Sequence, residues 1–169
     1  VSNWWGSEYR GLNSIRQAII DSMNVIAVKT FTAITPQLGY DYLKNFGFTT
    51  VVDREEITYG GNTYVYSDIQ QSTALHDALP IYEQSQPKEL NAAYACIANG
   101  GTYIKPKLYT KVVDHDGNVI LDNTEPETKQ VIKETTAWLL TDAMQDVVTQ
   151  GTGASVMIDY LGIKLGFNI

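Results

Sequence analysis

Two polar side chains one residue apart, Ser22 and Asn24, stand between apolar flanks in Ala18-Ile19-Ile20-Asp21-Ser22-Met23-Asn24-Val25-Ile26-Ala27-Val28-Lys29-Thr30-Phe31. A hydroxyl both donates and accepts a proton, and a carboxamide matches a peptide bond on both sides, so the pair can relay a proton and grip an amide substrate. Both must then lean toward one cavity, which happens if the turn linking the flanks departs from regular helix. The competing reading is structural, since Ser and Asn between helices commonly cap and turn the nearby backbone.

The elements that must carry the pair are helical. Asn13 or Ser14 can cap a helix from about Ile15 to Asp21, with Ile15, Ala18 and Ile19 on one face. A second helix is expected from about Val25 to Ile34 and a third from Pro36, with Leu38, Tyr42, Leu43 and Phe46 as its apolar stripe and Gly47 as its stop. Gly60-Gly61-Asn62 marks a turn between short strands bearing Tyr and Val. Pro87 opens another helix, with Ser85 or Gln86 near its cap, and turns Leu90, Ala93, Tyr94 and Ile97 inward until Asn99-Gly100-Gly101 ends it. Strands at Leu108 to Val113 and Asn118 to Leu121 flank Asp116-Gly117, a tight hairpin signal. A last helix from about Glu134 to Val148 spreads Ala137, Trp138, Leu140, Thr141, Met144, Val147 and Val148 over a broad buried face.

Composition narrows the function classes. With 169 residues, 44% hydrophobic and 18% charged, the chain has the make-up of one globular unit with a core, and it contains no internal repeat. The net charge of -7, with 19 acidic against 12 basic side chains and no basic tract, argues against nucleic acid as a partner. The one cysteine, Cys96, lies in the apolar run from Ala92 to Ala98 and reads as a small buried side chain rather than a nucleophile. No stretch of about 18 apolar residues occurs, so no membrane segment is expected in this chain, and its start lacks the pattern of a signal peptide.

The run Asn3-Trp4, Tyr9-Arg10-Gly11, Ile15-Arg16-Gln17-Ala18, Ser22-Met23-Asn24-Val25 and Ala27-Val28-Lys29 resembles the segment around the second active-site motif of class A penicillin-binding proteins. Three further blocks follow in that family's order. They are Pro87 to Ala95 with Ala98-Asn99-Gly100-Gly101, then Tyr103-Ile104-Lys105-Pro106, then Met144 to Val148 with Thr149-Gln150-Gly151-Thr152-Gly153. The ordered set spans residues from about 3 to 153 and is far more specific than any one motif.

The resemblance implies an α+β chain of the β-lactamase and penicillin-binding transpeptidase fold, mainly its helical subdomain plus a β-hairpin and the first strand after it. Residues 1–169 are then expected to be a partial transpeptidase domain, truncated at both ends. It also implies a D,D-transpeptidase that cross-links peptidoglycan stem peptides ending in D-Ala-D-Ala through a serine acyl-enzyme, is inhibited by β-lactams, and acts on the extracytoplasmic face of the bacterial cytoplasmic membrane. No metal or organic cofactor is implied. Ser22 would relay a proton toward the departing amine, and Asn24 would hold the acyl-donor peptide.

The family's nucleophile lies in Ser-x-x-Lys, with the lysine one helical turn from the hydroxyl. The one string match, Ser85-Gln86-Pro87-Lys88, follows the Ser-x-Asn instead of preceding it, and Ser85 reads as a cap residue before Pro87. The nucleophile is therefore expected upstream of these residues, leaving the isolated chain inactive. For the family's Lys-Thr-Gly, this chain offers Lys164-Leu165-Gly166, in which Lys164 and Gly166 would bind the substrate carboxylate and backbone. Leu165 has no hydroxyl to donate, a loss of about 1–3 kcal/mol in a buried polar site. The chain also departs from the family at His76-Asp77-Ala78-Leu79-Pro80-Ile81.

Two other classes of function compete. A non-catalytic peptide- or β-lactam-binding sensor of the same fold is favoured by Leu165 and opposed by the intact Ser22-Met23-Asn24. A serine β-lactamase would not be expected to carry the Asn3-Trp4 to Lys29 run. Three local patterns read as decoys. Asp114-His115-Asp116-Gly117-Asn118 starts like a calcium loop but has its glycine two positions early. Gly151-Thr152-Gly153 lacks the lysine of a phosphate loop, and His76-Asp77 lacks a nucleophile elbow. With the nucleophile helix outside the chain, exposed apolar surface and marginal stability are expected.

Overall fold

In the computed structural model, which describes residues 2–6, 8–71, 73–76 and 87–154, the first helix starts where a side-chain oxygen can cap it. Ser14 Oγ accepts from the Gln17 amide at 3.1 Å, so Ser14 and not Asn13 caps α1 (Ile15–Ile20). The Asn13 amide donates instead to the Arg10 and Gly11 carbonyls. After α1 come α2 (Asn24–Ile34), one residue longer at its start than the sequence suggests, and α3 (Pro36–Asn45). Thr35 both ends α2 and caps α3. It holds a φ of 75°, an uncommon value for a β-branched residue, while its Oγ1 accepts from the Leu38 amide. Buried Gly39 lets α3 approach α2, since a Cβ there would stand 2.1 Å from the Phe31 ring.

Downstream of α3, β1 (Glu55–Tyr59) and β2 (Asn62–Tyr66) form the hairpin expected around Gly60-Gly61. Both glycines have positive φ, 59° and 79°, as a two-residue turn matching strand twist requires. A single helical turn, α4 (Thr73–His76), follows, and then α5 (Pro87–Ala98). The core gathers Phe48, Val51 and Ala93, with Tyr40, Leu43, Phe46 and Leu90 packed around them.

The face that α5 buries is Glu89, Ala92, Ala93 and Cys96; of the expected inward residues Ala93 is buried, Leu90 and Ile97 are half-buried, and Tyr94 is turned out at 56% exposure. The reason is polar as well as steric. Thr49 donates its hydroxyl to Glu89 Oε1 at 2.6 Å, which satisfies the carboxylate inside, while Ala and Cys side chains allow close approach of the neighbouring elements. Cys96 is 1% exposed, and burial pushes its thiol pKa up, as suits an inert packing residue.

Two further short strand pairs complete the α+β arrangement. β3 (Thr102–Ile104) pairs with β6 (Thr128–Gln130), and β4 (Lys111–Val113) with β5 (Val119–Asp122), all antiparallel. The β4–β5 hairpin is the one read from Asp116-Gly117, but its first strand is shorter because Leu108 is 92% exposed and outside the ladder. Asp114 Oδ1 takes the amides of Asp116 and Asn118, which makes the turn wider than two residues.

Helix α6 (Glu134–Gln150) buries Ala137 and Ala143, with Leu140, Thr141, Met144, Val147 and Val148 half-buried. Trp138, expected inside, is 65% exposed because it sits about 100° around the helix from Ala137, off the packed face. α6 is fastened to α1 at two points. Arg16 pairs with Asp142 and with Asp146, the latter at 2.6 Å, and the Thr152 amide donates to the Ile20 carbonyl at 3.1 Å.

Candidate active site

The turn between α1 and α2 carries Ser22 and Asn24, and its backbone has a defined form. The Met23 amide donates to the Ala18 carbonyl at 2.8 Å and the Ser22 amide to the Ile19 carbonyl at 3.2 Å. Those two bonds are a Schellman motif, in which the residue after the C-cap adopts the left-handed conformation. That residue is Ser22, with φ of 51°, at a position where glycine is usual. Met23, 4% exposed, and Ala18 are both buried, as suits the two apolar positions of the motif. The chain leaves α1, doubles back for one extended residue and enters α2 at Asn24.

The departure from helix brings the pair together. Ser22 and Asn24 line one open hollow of about 490 Å³ whose walls are otherwise mostly apolar: Ile15, Ile19, Met23, Phe31 and Ile34 stand around it with the hydroxyl-bearing Thr30, and Ala74 of α4 reaches its edge. Ser22 is exposed and Asn24 half-buried. The hollow is thus lined by Ser22 and Asn24 against a mostly apolar wall, a combination that can orient an amide-bearing ligand while excluding water from one side of it. A second hollow of about 300 Å³ lies across the turn, lined by Trp5, Tyr9, Arg10 and Lys29 among others, with the Arg10 guanidinium 3.9 Å above the Trp5 ring. Ser22 and Asn24 do not line it.

The N-terminal segment touches the turn from outside. The Asn24 amide donates to the Ser2 carbonyl at 3.1 Å, Asn3 Oδ1 accepts from the Val25 amide at 3.1 Å, and the Trp4 indole donates to the Asp21 carbonyl at 2.8 Å. The sequence ties Asn3-Trp4 to the site only through the family resemblance, because a cap supplied from some twenty residues away has no local signature.

Lys164 and Gly166 lie outside the described residues, as do Ser85 and Asp77 and the side chain of His76. Two decoys resolve structurally. The Asp114 carboxylate is occupied by its own turn, and hydrogen bonds led by the Asn118 side chain hold its pKa below the usual range. The amides of Gly151 and Gly153 donate to the Val147 carbonyl, and that of Thr152 to Ile20, so they close α6 instead of cradling a phosphate.

Comparison with solved structures places this arrangement in the penicillin-binding transpeptidase fold. Penicillin-binding protein 1A from Haemophilus influenzae matches with a TM-score of 0.68 at 18% identity, over 93% of this chain and 26% of its own. The D,D-transpeptidase domain of a peptidoglycan glycosyltransferase from Eggerthella lenta matches with a TM-score of 0.64 at 22% identity, over 97% and 42%. A third match, penicillin binding protein 3 from Mycobacterium tuberculosis, complexed with ampicillin, has a TM-score of 0.66 at 23% identity, over 92% and 36%.

The family model of the penicillin binding protein transpeptidase domain matches residues 2–166, and the chain belongs to that family. Its resemblance to the class A proteins is met in sequence relatives named penicillin-binding protein 1A. That of Streptococcus pneumoniae is 32% identical over 93% of this chain, and that of Clostridium novyi 30% identical over 90%. The chain spans only 20% and 16% of those relatives' lengths.

Proposed function

We propose that these residues form part of a peptidoglycan D,D-transpeptidase, in which a serine attacks the D-Ala-D-Ala bond of a stem peptide, D-Ala departs, and the acyl group passes to an amine on a neighbouring strand. The observation that carries this reading is the shared hollow, which Ser22 and Asn24 both line from one turn between α1 and α2. In it, Asn24 holds the acyl-donor peptide and Ser22 passes the proton that the departing amine needs. The attacking serine comes from sequence outside these 169 residues, and Lys164 with Gly166 receives the substrate carboxylate. β-Lactams mimic the acyl donor and acylate the same serine. The reaction takes place on the extracytoplasmic side of the bacterial cytoplasmic membrane. Among the described residues, no helix is long and apolar enough to cross a membrane.

Fluorescent penicillin tests the reading directly. The protein at its natural length is expected to form a stoichiometric covalent adduct on one serine, and the 169-residue chain alone is expected to form none. An adduct on the isolated chain, or none on the longer protein, would refute the assignment.

A second reading rests on Leu165, which replaces the hydroxyl residue of the family's third motif. In that reading the domain binds stem peptides or β-lactams without turnover. Stable penicillin binding with no release of D-Ala from a pentapeptide substrate distinguishes it.

A further inference from the structure

The turn that presents Ser22 and Asn24 is incompletely satisfied by its own two helices. α2 starts after Met23, whose side chain has no oxygen to offer the first amides of the helix, and α1 ends with the Asp21 carbonyl pointing out of the helical ladder. Ser22 moreover holds a left-handed conformation that a non-glycine residue adopts at a cost. Something outside the helices must hold this geometry.

We propose that Asn3 and Trp4 are positioning residues for this site: together they clamp the two helix ends that meet at Ser22-Met23-Asn24 and so keep the hydroxyl and the carboxamide facing one hollow. Asn3 Oδ1 caps α2 by accepting from the Val25 amide at 3.1 Å. The Trp4 indole N–H caps α1 by donating to the Asp21 carbonyl at 2.8 Å. Between these contacts, the Ser2 carbonyl accepts from the Asn24 side chain at 3.1 Å, fixing which way that amide is turned. The clamp is itself pinned, because the Gly6 amide returns to the Asn3 carbonyl at 3.0 Å and the Trp4 and Trp5 rings meet edge to face at 5.3 Å. Three hydrogen bonds thus fall on three consecutive parts of one turn: the end of α1, the Asn24 side chain and the first turn of α2. The inference rests on the transpeptidase reading for its chemical consequence but not for its geometry.

The test uses the protein at its natural length and a fluorescent penicillin. Asn3→Leu and Trp4→Phe are each expected to slow acylation about tenfold or more, because small misplacements of reacting groups are costly. Asn3→Asp, which keeps the acceptor oxygen at a helix N-terminus, is expected to restore the rate. Trp4→Phe keeps an aromatic ring beside Trp5 but removes the N–H together with the five-membered ring of the indole, so it is read beside Asn3→Leu, which leaves the whole Trp4 side chain in place. Hydrogen exchange supplies the second readout: the Val25 amide is expected to exchange faster in Asn3→Leu and not in Asn3→Asp, with Ala137 to Ala143 unchanged in both. Wild-type rates in Asn3→Leu and Trp4→Phe would overturn the proposal, as would failure of Asn3→Asp to rescue. If the wild-type protein itself is not acylated, the transpeptidase reading fails, and Val25 exchange alone then decides the clamp: unchanged exchange in Asn3→Leu overturns it.

Discussion

Ser22 shows why a residue's type has to be judged together with its backbone. At the left-handed position of a Schellman motif, glycine would be the relaxed choice, and a serine there is strained by roughly 1 kcal/mol. Ser22→Gly is therefore expected to raise the unfolding free energy by about 1 kcal/mol while removing the hydroxyl proposed to relay the proton. Ser22→Ala is expected to leave stability nearly unchanged with the same loss of turnover. Thermal unfolding together with D-Ala release separates these effects, and a destabilised Ser22→Gly protein would contradict the strain argument. The sequence shows the polar pair and its apolar flanks. It does not show the φ of Ser22, which follows from the two backbone bonds that end α1.

Among the elements, the contact between α1 and α6 decides where the turn stands. Gly151, just beyond α6, lies so close to the end of α1 that a Cβ would meet the Ile20 carbonyl oxygen at 2.3 Å. Because backbone and not a movable side chain blocks the space, Gly151→Ala is expected to cost about 1–3 kcal/mol by pushing the helices apart. Arg16→Ala, which removes two ion pairs of partly exposed groups screened by solvent, is expected to cost clearly less than Gly151→Ala. Denaturant unfolding of the two variants checks the order, and the reverse order would show that charge rather than close packing joins the helices. Helix positions were legible here because caps, prolines and glycines act locally. Helix rotations were less so. Trp138 and Tyr94 have the hydrophobicity of inward residues, yet the packed faces use Ala137, Ala143, Ala93 and Cys96, where small side chains let elements approach.

Over the whole molecule, apolar side chains remain uncovered around the candidate site. Ile15 is 56% exposed and Ile34 43%, and both line the hollow beside Ser22 and Asn24; Leu38 and Tyr42 of the expected α3 stripe are 42% and 40% exposed. Apolar surface gathered at a concave site lowers stability and binds other apolar groups. The 169-residue chain is expected to bind a hydrophobic dye and to melt over a broad range, and a sharp transition without dye binding would contradict this. Sequence alone determined the order of the motifs, the family, most helix limits and the two hairpin turns at Gly60-Gly61 and Asp116-Gly117, because these depend on near neighbours along the chain. Tertiary structure alone decided the β3–β6 pairing, the buried faces of α5 and α6, and the meeting of Asn3 and Trp4 with the Ser22 turn. Those contacts join residues some twenty or more positions apart, and which partners meet is set by how helices fill shared space, a quantity that no local pattern of residues encodes.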